Sequence, residues 1–258
     1  MQRYKLVHGL WILWLISCTS VARSQESHHP SGIDSTAEMV LRQLSSRYQQ
    51  MTTAVFHVVD SIDEVQADGR KLQFSTVRKI AVVRPDKFKV ETQGDVIRRT
   101  VWFDGKLLTV LDQDRNVYAQ LPFQGTIDQT IDMLQEGFGM SIPAADILSA
   151  DLYTTMMADC KTLDYIGLGY AGEESCHHVA FTGEAIDWQL WISTGDAPSL
   201  RKMVITYKQL DGFPQYTLQL VRSDSIPQID DSEFTCRIPA GFDKIEIQPI
   251  RPIMEAAK

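Results

Sequence analysis

The sequence predicts an α+β fold: a strongly curved antiparallel sheet of about eleven strands, with an N-terminal helix and a helical insert covering its concave face. Three observations carry this prediction. After Met51 the chain turns to short, β-rich runs in which apolar and polar residues alternate, the period of a half-buried strand. Hairpin-length turns separate those runs with no parallel crossover pattern, so neighbours pair antiparallel. A helical stretch then splits the strands into two sets. A sheet of about ten or more strands must curl, close or split, so a packed two-sheet sandwich is the architectural alternative.

The elements follow in order. Residues 34–50 form a helix: Asp34 or Ser35 can cap it, Glu38 sits in the first turn, and Met39, Val40, Leu44 and Tyr48 recur near helical spacing. Strands follow over 55–65 and 72–83, with Asp68-Gly69 as a hairpin turn. Further strands cover 87–92, 96–103, 107–111 and 116–121, with a second tight turn at Asp104-Gly105. Thr126 caps the insert, where Ile127, Ile131, Leu134 and Phe138 share one helical face and Gly137 and Gly139 mark the end. Pro143 starts a short helix over 144–148, and 151–159 reads as another. Strands resume over 162–170, 175–182, 188–193, 200–208 and 216–223, and 234–238 with 244–247 reads as a last hairpin.

The balance of the 258 residues, 44% hydrophobic and 22% charged, is that of a globular domain with a substantial core. The 33 acidic residues outnumber the 25 basic ones, and no basic cluster offsets them. This sets aside nucleic acid and docking by charge on an anionic membrane. Beyond Cys18 there are three cysteines, Cys160, Cys176 and Cys236, an odd number; one disulfide with a free thiol and three small buried residues are both open readings.

Catalytic and metal-binding patterns are sparse. Cys176-His177-His178 is the single Cys/His cluster, but adjacent strand residues point to opposite faces, which argues against one metal ion or a nucleophile–base dyad there. There is no G-x-S-x-G elbow and no P-loop. Acidic residues such as Asp68, Asp104, Asp112, Asp196 and Asp211 sit in turns, where turn formation alone calls for them. The expectation is a non-enzymatic protein without cofactor or metal.

Apolar, adaptable surface is what remains. Met133, Met140, Met156 and Met157 fall within the insert, beside Leu134, Phe138, Ile147 and Leu148. Methionine-rich helices adapt to varied apolar partners, and such a cover over a curved sheet could enclose a hydrophobic ligand. The plainer reading is that these side chains pack the insert onto the sheet. The candidate ligand-binding set is Met133, Leu134, Phe138, Met140, Ile147, Leu148, Met156 and, from a strand, Trp102. Trp188 and Trp191 are three apart and face opposite sides of their strand, so at most one lines such a cavity.

The N-terminus reads as an export signal. Arg3 and Lys5 precede an apolar run from Leu6 to Ile16, and small residues follow. The run is shorter than the roughly 20 residues a spanning helix needs. Two cleavage readings compete: after Ser24, giving a signal of 1–24, or before Cys18, because Leu15-Ile16-Ser17-Cys18 is similar to a bacterial lipobox, giving a signal of 1–17 and a lipidated Cys18. Residues 25–33 read as a polar tether, 34–248 as the domain and 249–258 as a tail.

An ordered set of short segments adds to this reading. Val83-Arg84-Pro85-Asp86, Phe103-Asp104-Gly105-Lys106, Asn116-Val117-Tyr118-Ala119 and Gly125-Thr126-Ile127-Asp128 come first. Pro143-Ala144-Ala145-Asp146-Ile147-Leu148, Cys176-His177-His178-Val179-Ala180-Phe181 and Asp187-Trp188-Gln189-Leu190-Trp191-Ile192 follow, then Arg201-Lys202-Met203-Val204-Ile205-Thr206-Tyr207-Lys208 and Pro214-Gln215-Tyr216. Across residues 36–248 the chain resembles a bacterial family of predicted periplasmic proteins of unassigned function. That family looks related to the LolA/LolB/RseB-like lipoprotein-carrier superfamily. The resemblance implies an incomplete antiparallel β-barrel with helices across its mouth, and non-covalent binding of lipid acyl chains or lipoproteins. It carries over no catalytic residues, and Cys160 and Cys236 depart from its usual pattern.

The expected function is therefore that of an exported, periplasmic, non-enzymatic protein that holds a hydrophobic ligand in a half-barrel. A lipidated Cys18 would anchor it at the outer membrane. The alternative is a structural or sensing module whose surface binds a protein partner, since one fold serves carriers, receivers and sensors alike.

Overall fold

A computed structural model describes residues 32–139, 145–225 and 228–247. The predicted signal with Cys18, the tether before residue 32, Met140 and the tail lie outside the described residues.

Helix α1 (Ser35–Gln50) begins where the Asp34 carboxylate accepts the backbone N–H groups of Thr36 and Ala37 at 2.8 and 2.9 Å. Its buried stripe, including Val40, Leu41, Leu44 and Tyr48, recurs every three to four residues. A first meander follows: β1 (Thr53–Val65), β2 (Lys71–Val83), β3 (Lys87–Gly94), β4 (Arg98–Phe103), β5 (Leu107–Asp112) and β6 (Val117–Pro122). The insert comprises α2 (Ile127–Asp132), a π-helical turn (Met133–Gly137), a 3-10 turn (Ala145–Leu148) and α3 (Leu152–Met157). The second meander is β7 (Thr162–Ala171), β8 (Glu174–Thr182), β9 (Ile186–Ser193), β10 (Leu200–Tyr207) and β11 (Gln215–Ser225), before a 3-10 turn (Asp231–Phe234) and the two-residue β12 (Asp243–Lys244).

All twelve strands join one sheet in the order β12-β6-β5-β4-β3-β2-β1-β11-β10-β9-β8-β7. One sheet, not a sandwich, is the outcome, and with β12 and β7 left as edges the barrel is incomplete. Pairing is antiparallel throughout except between β12 and β6. Register shifts in β1 against β11, in β7 and in β10 add the local twist that bends the sheet.

The order explains the insert. Ten strand spacings separate β6 from β7, about 48 Å on a flat sheet. The chain between them must cross the width of the sheet, and it does so on the concave side. Ile127, Leu134, Ile147, Leu148, Leu152 and Met156 join α1 in one buried cluster with Phe56, Phe88, Phe103, Leu190 and Leu218 of the sheet.

Two expectations need correction. The last hairpin does not form: Asp230 caps a 3-10 turn through the Ser232 N–H at 2.8 Å, and only Asp243–Lys244 pairs, parallel to β6. Lys87 and Lys89, on the convex side of β3, bind Asp231 and Glu233 at 2.7 and 3.3 Å, so the segment is drawn across the back of the sheet instead of folding on itself. The helix expected over 151–159 shortens to α3, because Asp151 spends its carboxylate on the N–H of Thr154 as a cap.

A buried charge marks the seam between the meanders. Asp60 on β1 is 3% exposed; it accepts a hydrogen bond from Tyr216 on β11 at 3.0 Å and one from the Thr76 hydroxyl, and pairs with Arg78 on β2 at 3.1 Å. Burial first, then the neighbouring Asp60 charge, pushes the Tyr216 phenol above its ordinary range, so it remains a donor. Two stability outcomes follow, both readable in urea unfolding. Tyr216→Phe leaves a buried carboxylate one donor short and should cost about 1–3 kcal/mol. Leu41→Ala, on the buried face of α1, should cost about 2–5 kcal/mol. An unchanged midpoint in either variant would contradict the packing described.

Candidate functional site

The candidate site is the concave face beneath and beside the insert. Its roof is set by local sequence. Thr126 and Gln129 form a reciprocal capping box that starts α2, and the α2 N-terminus is tied to the sheet by the Ile127 N–H on Pro85 O at 2.8 Å. Arg84 donates to the Leu148 carbonyl, fixing the 3-10 turn over the β2–β3 end. α3 is pinned to α1: the Tyr153 hydroxyl donates to Glu38 at 2.8 Å, Arg42 lies 3.7 Å from the Tyr153 ring centroid, and the Tyr153 N–H donates to Ser45 at 3.0 Å. Hydrogen bonds from Tyr153 and then Arg42 hold the Glu38 carboxyl below its usual range.

Most of the expected ligand-binding residues come together, as core. Leu134, Ile147, Leu148 and Met156 are buried in the main cluster, while Met133 and Phe138 are half-buried at its margin beside Ile131 and Met157. Trp102 is elsewhere. It neighbours Phe103, whose ring packs at 5.6 Å on Phe88 in the core, so strand alternation turns Trp102 to the convex face, between Lys89 and Thr109 in register. Alternation likewise divides the tryptophans of β9: Trp188 faces the core, stacked on Phe181 at 5.0 Å, and Trp191 stacks on His178 at 4.1 Å on the other side.

Open space lies at the edges of the insert. A pocket of about 160 Å³ between α3 and β9–β10 is lined by Met156, Ile186, Trp188, Met203 and Ile205 among others, and the buried indole N–H of Trp188 has no acceptor among the described residues. An apolar trough of about 430 Å³ opens at the other end of the face, against Val110, Val117, Ala119, Ile245 and Ile247, with Arg99 and Asp112 at its side. A larger hollow of about 810 Å³ lies outside, between the polar surface of α1 and the β9–β10 loop, and its lining of Glu38, Arg42, Gln43 and Arg47 suits water.

Between pocket and trough the floor is ordered in rows. Phe56, Ile80, Val90, Val101, Val110 and Ala119 sit side by side in register across β1 to β6. The next inward-facing row is Val58, Arg78, Thr92, Arg99, Asp112 and Val117. Sequence reading missed this polar row. Its signal was a charge in the inward phase of an alternating strand, Arg78 two residues before Ile80 and Arg99 two before Val101.

The Cys-His-His run holds no shared site. His177 accepts or donates with the Tyr165 hydroxyl at 2.9 Å on one face, and His178 meets Gln189 at 2.9 Å on the other, where burial lowers its pKa. Burial, then Glu174, raises the Cys176 thiol, leaving it protonated and unreactive. Cys160, Cys176 and Cys236 are all free thiols. Among the described residues no helix is long and apolar enough to cross a membrane.

No curated protein matches the chain. Among solved structures, an uncharacterized conserved protein from Thermus thermophilus is similar at 11% identity and a TM-score of 0.49, covering 82% of this chain and 99% of its own. A LolA superfamily protein from Nitrosomonas europaea is similar at 11% identity and a TM-score of 0.37, covering 78% and 97%. The lipoprotein LppX of Mycobacterium tuberculosis is similar at 13% identity and a TM-score of 0.43, covering 76% and 100%. Identities and TM-scores this low transfer neither ligand nor activity. The family model described as "Predicted periplasmic protein (DUF2092)" is different in kind, because it matches residues 37–248, from α1 past β12, and the chain belongs to that family.

Proposed function

We propose that this is an exported, non-enzymatic protein that holds acyl chains of a lipid or lipoprotein on its concave face, with the insert as a movable cover. The observation that supports this most is the margin of the insert. Met133, Phe138 and Ile131 of the insert are half-buried against the core cluster, as are Val90, Val101 and Val110 of the floor. A small outward movement of the roof would extend the existing pockets along that apolar row. Each methylene then buried contributes ~0.8 kcal/mol, so a single long chain suffices for firm binding. Cys176 and His177 are neighbours on β8 and face opposite sides of the sheet, which supports binding over catalysis by a nucleophile–base pair.

Extraction of the purified protein followed by lipid mass spectrometry should return acyl lipid, and empty protein should take up a fluorescent fatty acid. Met133→Glu and Phe138→Glu should weaken that uptake by about tenfold or more while leaving the circular dichroism spectrum intact. Protein that is reproducibly empty and takes up no probe would sink the reading. Variants that simply unfold would make the insert a structural element and favour a module acting through its outer surface.

We further propose that Cys18 carries lipid and tethers the domain at the outer membrane. Radiolabelled palmitate should enter the wild type and not Cys18→Ala; equal labelling, or none in either, would favour cleavage after Ser24 and a soluble periplasmic form.

A further inference from the structure

The two edges of the sheet are finished differently. At one end β6 is covered: β12 pairs with it, the Ile245 N–H donates to the Tyr118 carbonyl at 2.8 Å, and the strand stops at Pro122, which has no N–H to offer. At the other end β7 pairs with β8 alone. Among the described residues, backbone bonds to its outer side come from the short segment before α1: the Asp34 N–H donates to the Leu163 carbonyl at 2.8 Å, and the Leu163 N–H to the Gly32 carbonyl at 3.2 Å. That segment turns into α1 at Ser35 and covers just the start of the strand. The register shift at Ile166 disrupts the middle, and beyond it Gly167-Leu168-Gly169-Tyr170-Ala171 pairs regularly with β8 and is bare outside. Leu168 and Tyr170 are 69% and 72% exposed. Natural edges are guarded by lysine, proline or inward charges, and this run holds none of them.

From this arrangement we infer that the outer edge of β7 is a self-association surface, on which two copies of this chain pair antiparallel through Gly167–Ala171 about a two-fold axis at Gly169. The run is complementary to its own reverse. With Gly169 at the axis, Leu168 lies opposite the partner's Tyr170, and Gly167 lies opposite the partner's Ala171. Large side chains then meet large ones on one face, and small residues meet small ones on the other. Aliphatic–aromatic cross-strand pairs are stabilising, and the symmetry forms two of them at once. No charge falls within the paired run, because the flanking carboxylates Asp164 and Glu173 lie outside it. An axis one residue earlier, at Leu168, would place Tyr170 opposite the bulged Ile166, where the ladder is broken. A strand of another protein would require no such self-complementarity, which favours a second copy as the occupant. Pairing of this kind uses up the edge on both copies and closes at two. Five paired residues make a small interface of the weak, transient class, so the dimer should form in the range of about 1 to 100 μM. The inference is independent of acyl binding.

The test is sedimentation velocity of the purified Cys18→Ala protein over a range of concentrations, with oxidative cross-linking beside it. Monomer should give way to dimer as concentration rises. Leu168→Lys changes an exposed side chain and leaves the core untouched, and it should raise the dissociation constant about tenfold or more. A mixture of Leu168→Cys and Tyr170→Cys proteins should form a disulfide-linked dimer above the background of the native thiols, whereas neither protein alone should. The reason is register: directly opposed Cβ atoms lie about 4.5–5.5 Å apart and diagonal neighbours about 7–8 Å, too far for a disulfide. Protein that stays monomeric at every concentration overturns the inference and leaves the edge to a strand of another protein. A dimer indifferent to Leu168→Lys, or single variants that cross-link as readily as the mixture, overturns it in favour of another surface or register. A dimer that appears only when residues 1–31 are removed makes the N-terminal segment the occupant of the edge and overturns it too.

Discussion

The pairing of β1 with β11 is the interaction on which the rest of this structure depends. Every other antiparallel pair joins strands that follow each other in the chain, and each can form as a local hairpin. β1 and β11 are brought together only after the insert and four further strands have been laid down. Without that pair there would be two separate meanders, each with a bare edge and half a core. With it, β1 is held on both sides along its length and becomes the centre of a single sheet. Tyr216 reaching Asp60 across the seam makes the pairing specific: a slip by one residue would turn Tyr216 outward and leave a carboxylate buried without that donor.

The position of the insert follows from this seam. Because the meanders meet at β1 and β11, their other ends, β6 and β7, become remote from each other, and the chain joining them has to cross the concave side. The cover is thus a topological consequence before it is a functional one. What the sequence adds is its texture. α2 and α3 are six residues each, joined to a π turn and a 3-10 turn, whereas α1 runs for 16 residues and supplies the continuous part of the helical layer. Helices of two turns are not stable by themselves, so the insert is held by its contacts to α1 and to the floor, and by specific ties at Arg84, at Tyr153 and at Asp128, whose carboxylate accepts the Ala150 N–H at 3.2 Å.

Much of the fold was legible because alternation and turn chemistry act locally. Asp104-Gly105 and Asp68-Gly69 announce hairpins whatever surrounds them: Gly105 and Gly69 adopt positive φ, and the aspartates accept the N–H groups two residues on. The capping box at Thr126 is local in the same way. The failures came where a distant partner decides. Residues 234–238 alternate like a strand, yet Lys87 and Lys89, far away in sequence, draw the segment across the back of β3. Of the candidate site, the apolar insert was legible by composition, but composition cannot separate a residue that lines a cavity from one that fills it. Leu134, Ile147, Leu148 and Met156 fill. Trp102 was misplaced for want of a phase: its neighbour Phe103 takes the inward position, and only the register with β3 and β5 reveals this. The polar row was missed because its members lie on four strands and are unremarkable one at a time.

That division between filled and open floor bears on how a cover of this kind can work. The part of the concave face beneath the buried half of the insert is packed with Phe88, Phe103, Leu108 and Leu190, and opening it would expose the main core. The half-buried margin is different, because Met133, Phe138, Val90 and Val101 already meet water on one side. Moving the margin costs only the contacts between partly exposed groups, and an acyl chain entering there restores apolar contact as fast as it is lost. Regions with few fully buried contacts open at lower free energy than the core around them. A ligand entering from the trough side would therefore widen the gap along the valine row, where displacement is cheapest, and stop where the phenylalanines close the floor. On this view the buried half of the insert acts as the hinge and the wall, and the methionine and phenylalanine margin as the part that yields.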